Sequence, residues 1–380
     1  MAMLGRRRLD GGIAVALIVL ASFVIAGSSA SAQQGIGPTT RTYFIAADQV
    51  VWNYAPAGRN VIEGRRFRGE ENGIVRRSRN RIGSRYLKSM YRAYTNASFR
   101  TLEPRPADQA YLGLLGPVIR AQVGDTVTIV FRNNTRYRSS IHVHGLRYDK
   151  ANEGALYNDG TSGAARKGDD MVRPGQTRTY TLTVPERSGP GPRDPSSVPW
   201  VYHSHTEEVG DINAGLVGGI IVTRAGMARP DGSPTDVDRE LINFYEIFNE
   251  NLSPYLKRNI SRFARRPRSV DPMSPSFMKT NRKHSINGYL FGNQPMMRMR
   301  VGERVRWYTM SLGGETDLHT PHWHGNTLIE DGRRIDVTEL LPATQKVQDM
   351  TPDEPGTWLF HCHVNEHITD GMQTRYTVQG

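Results

Sequence analysis

Alternation of apolar and polar residues marks this chain as a β protein. Tyr180, Leu182 and Val184 interleave with Thr179, Thr181 and Thr183, and Met297, Met299 and Val301 interleave with Arg298 and Arg300. A period of two puts each apolar set on one face, so both segments are predicted to be half-buried strands. Val127, Ile129 and Phe131 follow the rule less cleanly, because Val130 interrupts it. Gly and Pro recur between such segments and no long stretch keeps a helical period, as expected for short strands joined by tight turns. The only long apolar run, Ile13 to Ala26, follows Arg6, Arg7 and Arg8 and precedes Ala30-Ser31-Ala32. A basic start, an apolar middle and a small-residue end describe an export signal, so residues 1–32 are read as a signal peptide cleaved before Gln33. The mature protein is then expected in the periplasm or outside the cell, with no stable membrane span.

The pattern repeats. Val123-Gly124-Asp125-Thr126-Val127 leads to Ile141-His142-Val143-His144-Gly145, and Val301-Gly302-Glu303-Arg304-Val305 leads to His322-Trp323-His324-Gly325. Further on, Trp200-Val201-Tyr202-His203-Ser204-His205 is echoed by Trp358-Leu359-Phe360-His361-Cys362-His363. Two copies of one β-sandwich domain are expected, at 40–225 and 238–380, joined by a linker at 226–237 rich in Gly, Pro, Ser and Asp. A chain of 380 residues can give each copy its own core.

Charge is uneven. Residues 65–92 hold ten Lys or Arg against Glu70 and Glu71, and residues 257–283 hold nine against Asp271. Such segments either dock on acidic surfaces and steer anionic reductants or are solvated loops. No aromatic-studded motif accompanies the arginines, so no nucleic-acid partner is expected.

The histidines carry the chemistry. Ten of the eleven lie in the windows 142–144, 203–205, 319–324 and 361–367. On a strand both imidazoles of an H-x-H pair leave one face, so two such strands can converge on metal. In the fourth window Cys362, His367 and Met372 follow one another at intervals of five residues. A thiolate, imidazoles and a weak thioether are the donors of a blue copper site, and His319 supplies the second imidazole. Cys362 should point into its own sandwich while His361 and His363 point away, so one strand would join two metal sites. The other eight window histidines, four from each half, can hold three more copper ions only by meeting across a domain interface.

These four motifs resemble those of the multicopper oxidases. Tyr43-Phe44-Ile45-Ala46-Ala47-Asp48, Trp52-Asn53-Tyr54-Ala55-Pro56, Arg81-Ile82-Gly83-Ser84 and His284-Ser285-Ile286-Asn287-Gly288 narrow the likeness to ceruloplasmin-like members. The resemblance implies an all-β fold of two tandem cupredoxin-like Greek-key sandwiches and four coppers per subunit. Type 1 copper would be held by His319, Cys362, His367 and Met372, type 2 copper by His142 and His322. The type 3 pair would take His144, His203, His205, His324, His361 and His363. Ser204 stands where a blue-copper domain has Cys, so the first domain would lack a type 1 site. By likeness to the two-domain small laccases the chain would be a homotrimer, and one closing heterologous contact would build three identical clusters.

The implied activity is one-electron oxidation of a reductant at His367, transfer through Cys362 to His361 and His363, and four-electron reduction of dioxygen to water. The reductant is either ferrous ion or a phenolic or other organic compound. In ceruloplasmin-like ferroxidases a histidine matching His284 and an acid matching Glu366 help to bind iron, but Lys279 replaces an expected carboxylate. Glu153, Asp159, Asp169 and Asp170, with the Lys150 carbonyl, resemble a calcium-binding stretch of the same family. Two rivals are a copper nitrite reductase and a non-enzymatic copper-binding cupredoxin. Ser204 and the full ligand complement argue against the first, and the second would be expected to have lost ligands, of which none is missing.

Overall fold

The alternating segments are strands in the computed structural model, which describes residues 37–161, 167–314 and 317–380. The signal segment 1–32 and its cleavage site lie outside the described residues. The first half carries β1 (Thr40–Asn53), β2 (Arg85–Tyr94), β3 (Ile119–Gln122), β4 (Thr126–Asn133), β5 (His142–Val143), β6 (Thr177–Thr183), β7 (Ser197–His203) and β8 (Val217–Thr223). They form two four-stranded sheets, ordered β2-β1-β4-β6 and β3-β8-β7-β5. The second half carries β9 (Arg239–Asn249), β10 (Arg282–Ile286), β11 (Met297–Arg300), β12 (Val305–Ser311), β13 (Pro321–Trp323), β14 (Leu328–Glu330), β15 (Arg333–Ile335), β16 (Gln345–Met350), β17 (Gly356–Cys362) and β18 (Gln373–Gln379). Its sheets run β10-β9-β12-β16-β14-β15 and β11-β18-β17-β13. Short helices sit between strands: α1 (Gly69–Val75), α2 (Glu208–Ala214), α3 (Leu256–Phe263), α4 (Pro275–Thr280) and α5 (Asn365–Thr369).

Burial follows the period of two. On β6 Tyr180 and Leu182 are buried between exposed or half-buried threonines and arginine, and on β11 Met297 and Met299 alternate with exposed arginines. Val301 departs from that expectation: β11 ends at Arg300, the chain turns at Gly302 with φ +79°, and Val301 is exposed. Val127, Ile129 and Phe131 are all buried on β4, and Val130 lies half-buried on the other face, so the interruption leaves the inner face intact. Ile45, Ile129, Phe131 and Leu182 from one sheet meet Ile119, Tyr202, Ile220 and Val222 from the other, which is the interior of a sandwich.

The second core reaches into the first half. Tyr54, Tyr86, Leu112 and Leu114 pack with Phe244, Phe248 and Leu290. Asn287 ties the halves together. Its side chain accepts from the Phe244 N–H at 2.7 Å and donates to the Tyr111 carbonyl at 3.1 Å, while its own carbonyl takes the Leu114 N–H at 3.0 Å. The basic segments are not merely solvated. Lys88 is fully buried and donates to Glu250 at 2.5 Å and to the Asn213 carbonyl at 2.8 Å. Lys283, also fully buried, donates to the carbonyls of Ile74, Gly83 and Thr280. Within 226–237 the Arg229 guanidinium donates to the carbonyls of Pro234, Thr235 and Val237, so this segment is a set of pinned turns.

Candidate metal centres

Each H-x-H pair is set by the same local packing. β5 pairs with β7 so that His142 faces His203, and β13 pairs with β17 so that His322 faces His361. The glycine after each pair has positive φ, +76° at Gly145 and +73° at Gly325. A Cβ there would meet the Trp200 ring at 2.2 Å and the Trp358 ring at 2.4 Å respectively. Only glycine allows both the turn and the tryptophan that closes over it.

The imidazoles gather into two groups. In the first, donor nitrogens of His142, His144 and His203 lie within 4.8 Å of one another. His144 Nε2 is 3.1 Å from His203 Nε2, and the His205 ring centroid is 5.2 Å from that of His142. In the second, His322 Nδ1 and His324 Nε2 lie 3.2 and 3.1 Å from His361 Nε2, with the His363 ring 5.4 Å from His322. Carbonyl oxygens only accept, and they fix the tautomers. His142 Nδ1 donates to the Glu153 carbonyl at 2.7 Å, His203 Nδ1 to the Ser204 carbonyl at 3.1 Å, and His361 Nδ1 to the Cys362 carbonyl at 2.7 Å. The Nε2 lone pairs are left facing their neighbours. Burial, with neighbouring imidazoles, lowers the pKa of His144 to about 4, of His203 to about 3 and of His361 to about 4. The rings are therefore neutral ligands at neutral pH. Among the described residues no ring contact joins the first group to the second, and each borders its own surface depression.

A third group holds His319, Cys362 and His367, all buried, with donor atoms within 4.8 Å of one another. Cys362 Sγ accepts from the Thr320 N–H at 3.4 Å and is 3.6 Å from His367 Nδ1. Met372 is fully buried, and its carbonyl takes the Cys362 N–H at 3.1 Å. Burial alone would raise the Cys362 pKa, but the neighbouring imidazoles of His319 and His367 lower it to about 6. Desolvation likewise opposes protonation of His319, yet Asp317 and Cys362 raise it to about 9. His319 Nε2 is held by Asp317 Oδ1 at 3.1 Å, and its buried Nδ1 has no hydrogen-bond partner. A thiol poised to ionise and an orphaned imidazole nitrogen fit a thiophilic metal such as copper.

Asp317 escaped the sequence reading, although it lies two residues before His319. So did Glu208, 3.3 Å from His205 Nε2, and Asp336, 3.8 Å from His322 Nε2. Such outer partners orient ligating histidines but follow no fixed spacing. His284 lies 5.1 Å, centroid to centroid, from the His367 ring and is buried, not a surface residue. Glu366 is in the first turn of α5, ahead of His367, and Lys279 is exposed at the end of α4. The expected calcium ligands come together with two ammonium groups among them. Lys150 Nζ is 2.5 Å from Glu153, and Lys167 Nζ is 2.8 Å from Asp159 and 3.1 Å from Asp170. Asp169 instead accepts the Gly154 N–H at 2.9 Å, and its other oxygen is buried without a partner.

Two family models described as multicopper oxidase match this chain, over residues 111–226 and 264–380. The chain belongs to the multicopper oxidase family. Copper is therefore its implied metal. Mouse "Ferroxidase HEPHL1" is 43% identical over 346 residues, covering 90% of this chain and 30% of that protein. Human ceruloplasmin is 38% identical over 348 residues, covering 90% of this chain and 33% of that protein. The chain thus spans about a third of the length of these curated relatives. A solved multicopper oxidase superposes with a TM-score of 0.56 at 17% identity, covering 91% of this chain and 93% of that one, which supports the cupredoxin-like sandwich fold.

Proposed function

We propose that the chain is an exported copper oxidase that couples one-electron oxidation of a small reductant to the reduction of dioxygen. Its two cupredoxin domains would be 40–225 and 238–380. Type 1 copper is assigned to His319, Cys362, His367 and Met372, type 2 copper to His142 and His322, and the type 3 pair to His144, His203, His205, His324, His361 and His363. Bound copper supplies the redox chemistry, accepting single electrons and delivering four to dioxygen with the uptake of four protons, giving two waters.

The observation that carries this reading is the hydrogen bond from His361 Nδ1 to the Cys362 carbonyl. It joins the sulfur-bearing residue to the imidazole cluster through one short covalent and hydrogen-bonded link. The same bond holds the His361 proton on Nδ1 and frees Nε2 for metal. Asp317 orients His319 in the same way, and Thr320 fixes the sulfur.

Two separated groups of four imidazoles support a homotrimer in which the first half of one subunit faces the second half of its neighbour. Export is supported by the N-terminal pattern, and no helix among the described residues is long and apolar enough to cross a membrane. Between ferrous ion and organic reductants, the buried His284 beside His367 favours ferrous ion. The lysines among the carboxylates at 150–170 leave calcium a weaker proposal. The deciding experiment is copper analysis with oxygen uptake on ferrous ion and on a diphenol. About four coppers per chain with oxygen consumption support the oxidase. About two coppers with nitrite turnover support a nitrite reductase, and copper without turnover a binding protein.

A further inference from the structure

The fold lays parts of the two basic segments side by side. Arg265 N–H donates to the Ser78 carbonyl at 3.0 Å and Arg266 N–H to the Arg79 carbonyl at 2.9 Å. The Arg77 guanidinium reaches the Ala264 carbonyl at 3.4 Å. Just ahead in the chain, α3 is pinned to β2: Asn259, fully buried, accepts the Leu87 N–H at 2.7 Å and donates to the Leu87 carbonyl at 3.2 Å. Arg76, Arg77 and Arg79 thus lie in one surface strip with Arg265, Arg266 and Arg268, and all six are exposed.

This charge is uncompensated. Neither 72–88 nor 257–270 contains an acidic residue. The nearest acids along the chain are engaged elsewhere. Glu63 and Glu71 pair with Arg65, Glu70 faces Lys279 at 4.0 Å, and Asp271 Oδ1 accepts the Met273 N–H at 3.0 Å. Among the described residues none of the six guanidiniums is in an ion pair. Like charges held this close repel one another, and an anionic partner relieves the repulsion.

Met273 narrows the choice of partner. It follows Arg268 by five residues and, at 76%, is the most exposed large apolar side chain among the described residues. Guanidinium forks pair bidentately with phosphate, and an exposed methionine suits the boundary between headgroups and acyl chains. A soluble acidic polymer would engage the arginines and leave Met273 in water. We propose that the strip formed by 76–79 and 265–268, together with Met273, docks the protein on an anionic phospholipid surface without spanning it. The phosphodiester headgroup is the chemistry recognised. This goes beyond the oxidase reading and does not depend on it.

The test is co-sedimentation of the copper-loaded protein with vesicles of phosphatidylglycerol and phosphatidylcholine in equal parts, in about 0.1 M salt. The protein should sediment with these vesicles and not with phosphatidylcholine alone, and added salt should release it. Arg265→Gln, Arg266→Gln and Arg268→Gln combined should weaken binding about a hundredfold, at roughly fivefold per charge. Met273→Ser should weaken it several-fold, by a factor that salt does not change. Arg298→Gln with Arg300→Gln, at exposed positions of β11, should leave binding within about threefold. An equal loss there would show that net charge alone binds, and would overturn the strip. Failure of the unaltered protein to bind the anionic vesicles would overturn the proposal, and retention on a sulfated polysaccharide in that case would assign the strip to a soluble polyanion instead.

Discussion

The strand ends around Ser204 and Cys362 are one construction built twice. Ser204 N–H donates to the Leu216 carbonyl at 3.2 Å, as Cys362 N–H donates to that of Met372 at 3.1 Å. Ser140 N–H donates to Ser204 Oγ at 3.0 Å, and Thr320 N–H to Cys362 Sγ at 3.4 Å. The hydroxyls of Ser140 and Thr320 accept from His205 and His363 N–H at 3.0 and 3.2 Å. Ser139 thus stands where His319 stands, and Leu216 where Met372 stands. In the first half Ser204 Oγ donates to Asp211 Oδ2 at 2.6 Å; in the second the sulfur faces two imidazoles. The backbone frame is therefore indifferent to metal. On the proposed assignment, four side chains placed on it decide whether a blue site can form, while the outward imidazoles are kept in both copies.

The largest break in that comparison is Cys362→Ser, which makes the second copy resemble the first at its centre. Blue absorption should vanish and oxygen uptake fall to background, while copper analysis still finds metal at the imidazole groups. Full activity in this variant would refute the assignment.

Much of this frame was legible beforehand because strand alternation and H-x-H spacing are local. The repeat placed β7 against β17, and the glycine after each histidine pair found its reason only when Trp200 and Trp358 were seen to close over Gly145 and Gly325. What the sequence hid is contact between segments far apart in the chain. Asp370 meets His284 from 86 positions away, and Lys88 meets Glu250 from 162, and neither pairing has a spacing rule. Lys88 and Lys283 looked like members of solvated runs. They are buried because carbonyl and carboxylate partners come from elsewhere in the fold.

Lys88 is also the next largest prediction, because it joins the two copies. Tyr54 donates to the same Glu250 oxygen at 2.6 Å, and both members of the ion pair are fully buried. Lys88→Ala strands a buried carboxylate and should cost about 3–5 kcal/mol of stability, read by urea denaturation. Lys88→Met paired with Glu250→Gln should recover part of it; equal losses would show that packing, not charge, joins the halves.

pH separates the copies more gently. Imidazoles of an unfolded chain titrate near 6.5, whereas His203 titrates at about 3 and His144 and His361 at about 4 in the fold. Between those values the unfolded state binds more protons. The contribution of these three imidazoles to the stability of the copper-free protein is thus complete above pH 6.5 and lost as pH falls toward 4 and below. His319 runs the other way, since its pKa is raised to about 9: its contribution is complete below 6.5 and lost as pH rises through 9. Cys362, lowered to about 6, gains stability over the same range, so the two shifts in the second copy largely offset each other. His319→Gln removes the falling part, so the melting temperature of the copper-free protein should rise between pH 7 and 9 relative to the unaltered protein, with the acid limb in place; an unchanged profile would remove the Asp317 pairing from the account.

The smallest effect tests whether sulfur alone converts the first copy. Ser204→Cys removes hydrogen bonds to Asp211 and Ser140 and should cost about 1–2 kcal/mol. It should give no blue absorption, because Ser139 offers no imidazole and Leu216 no thioether where His319 and Met372 serve the second copy. Blue colour arising from this single change would mean that the thiolate dictates the site and that the surrounding donors are secondary, which would leave Ser204 alone to account for a first half without a type 1 centre.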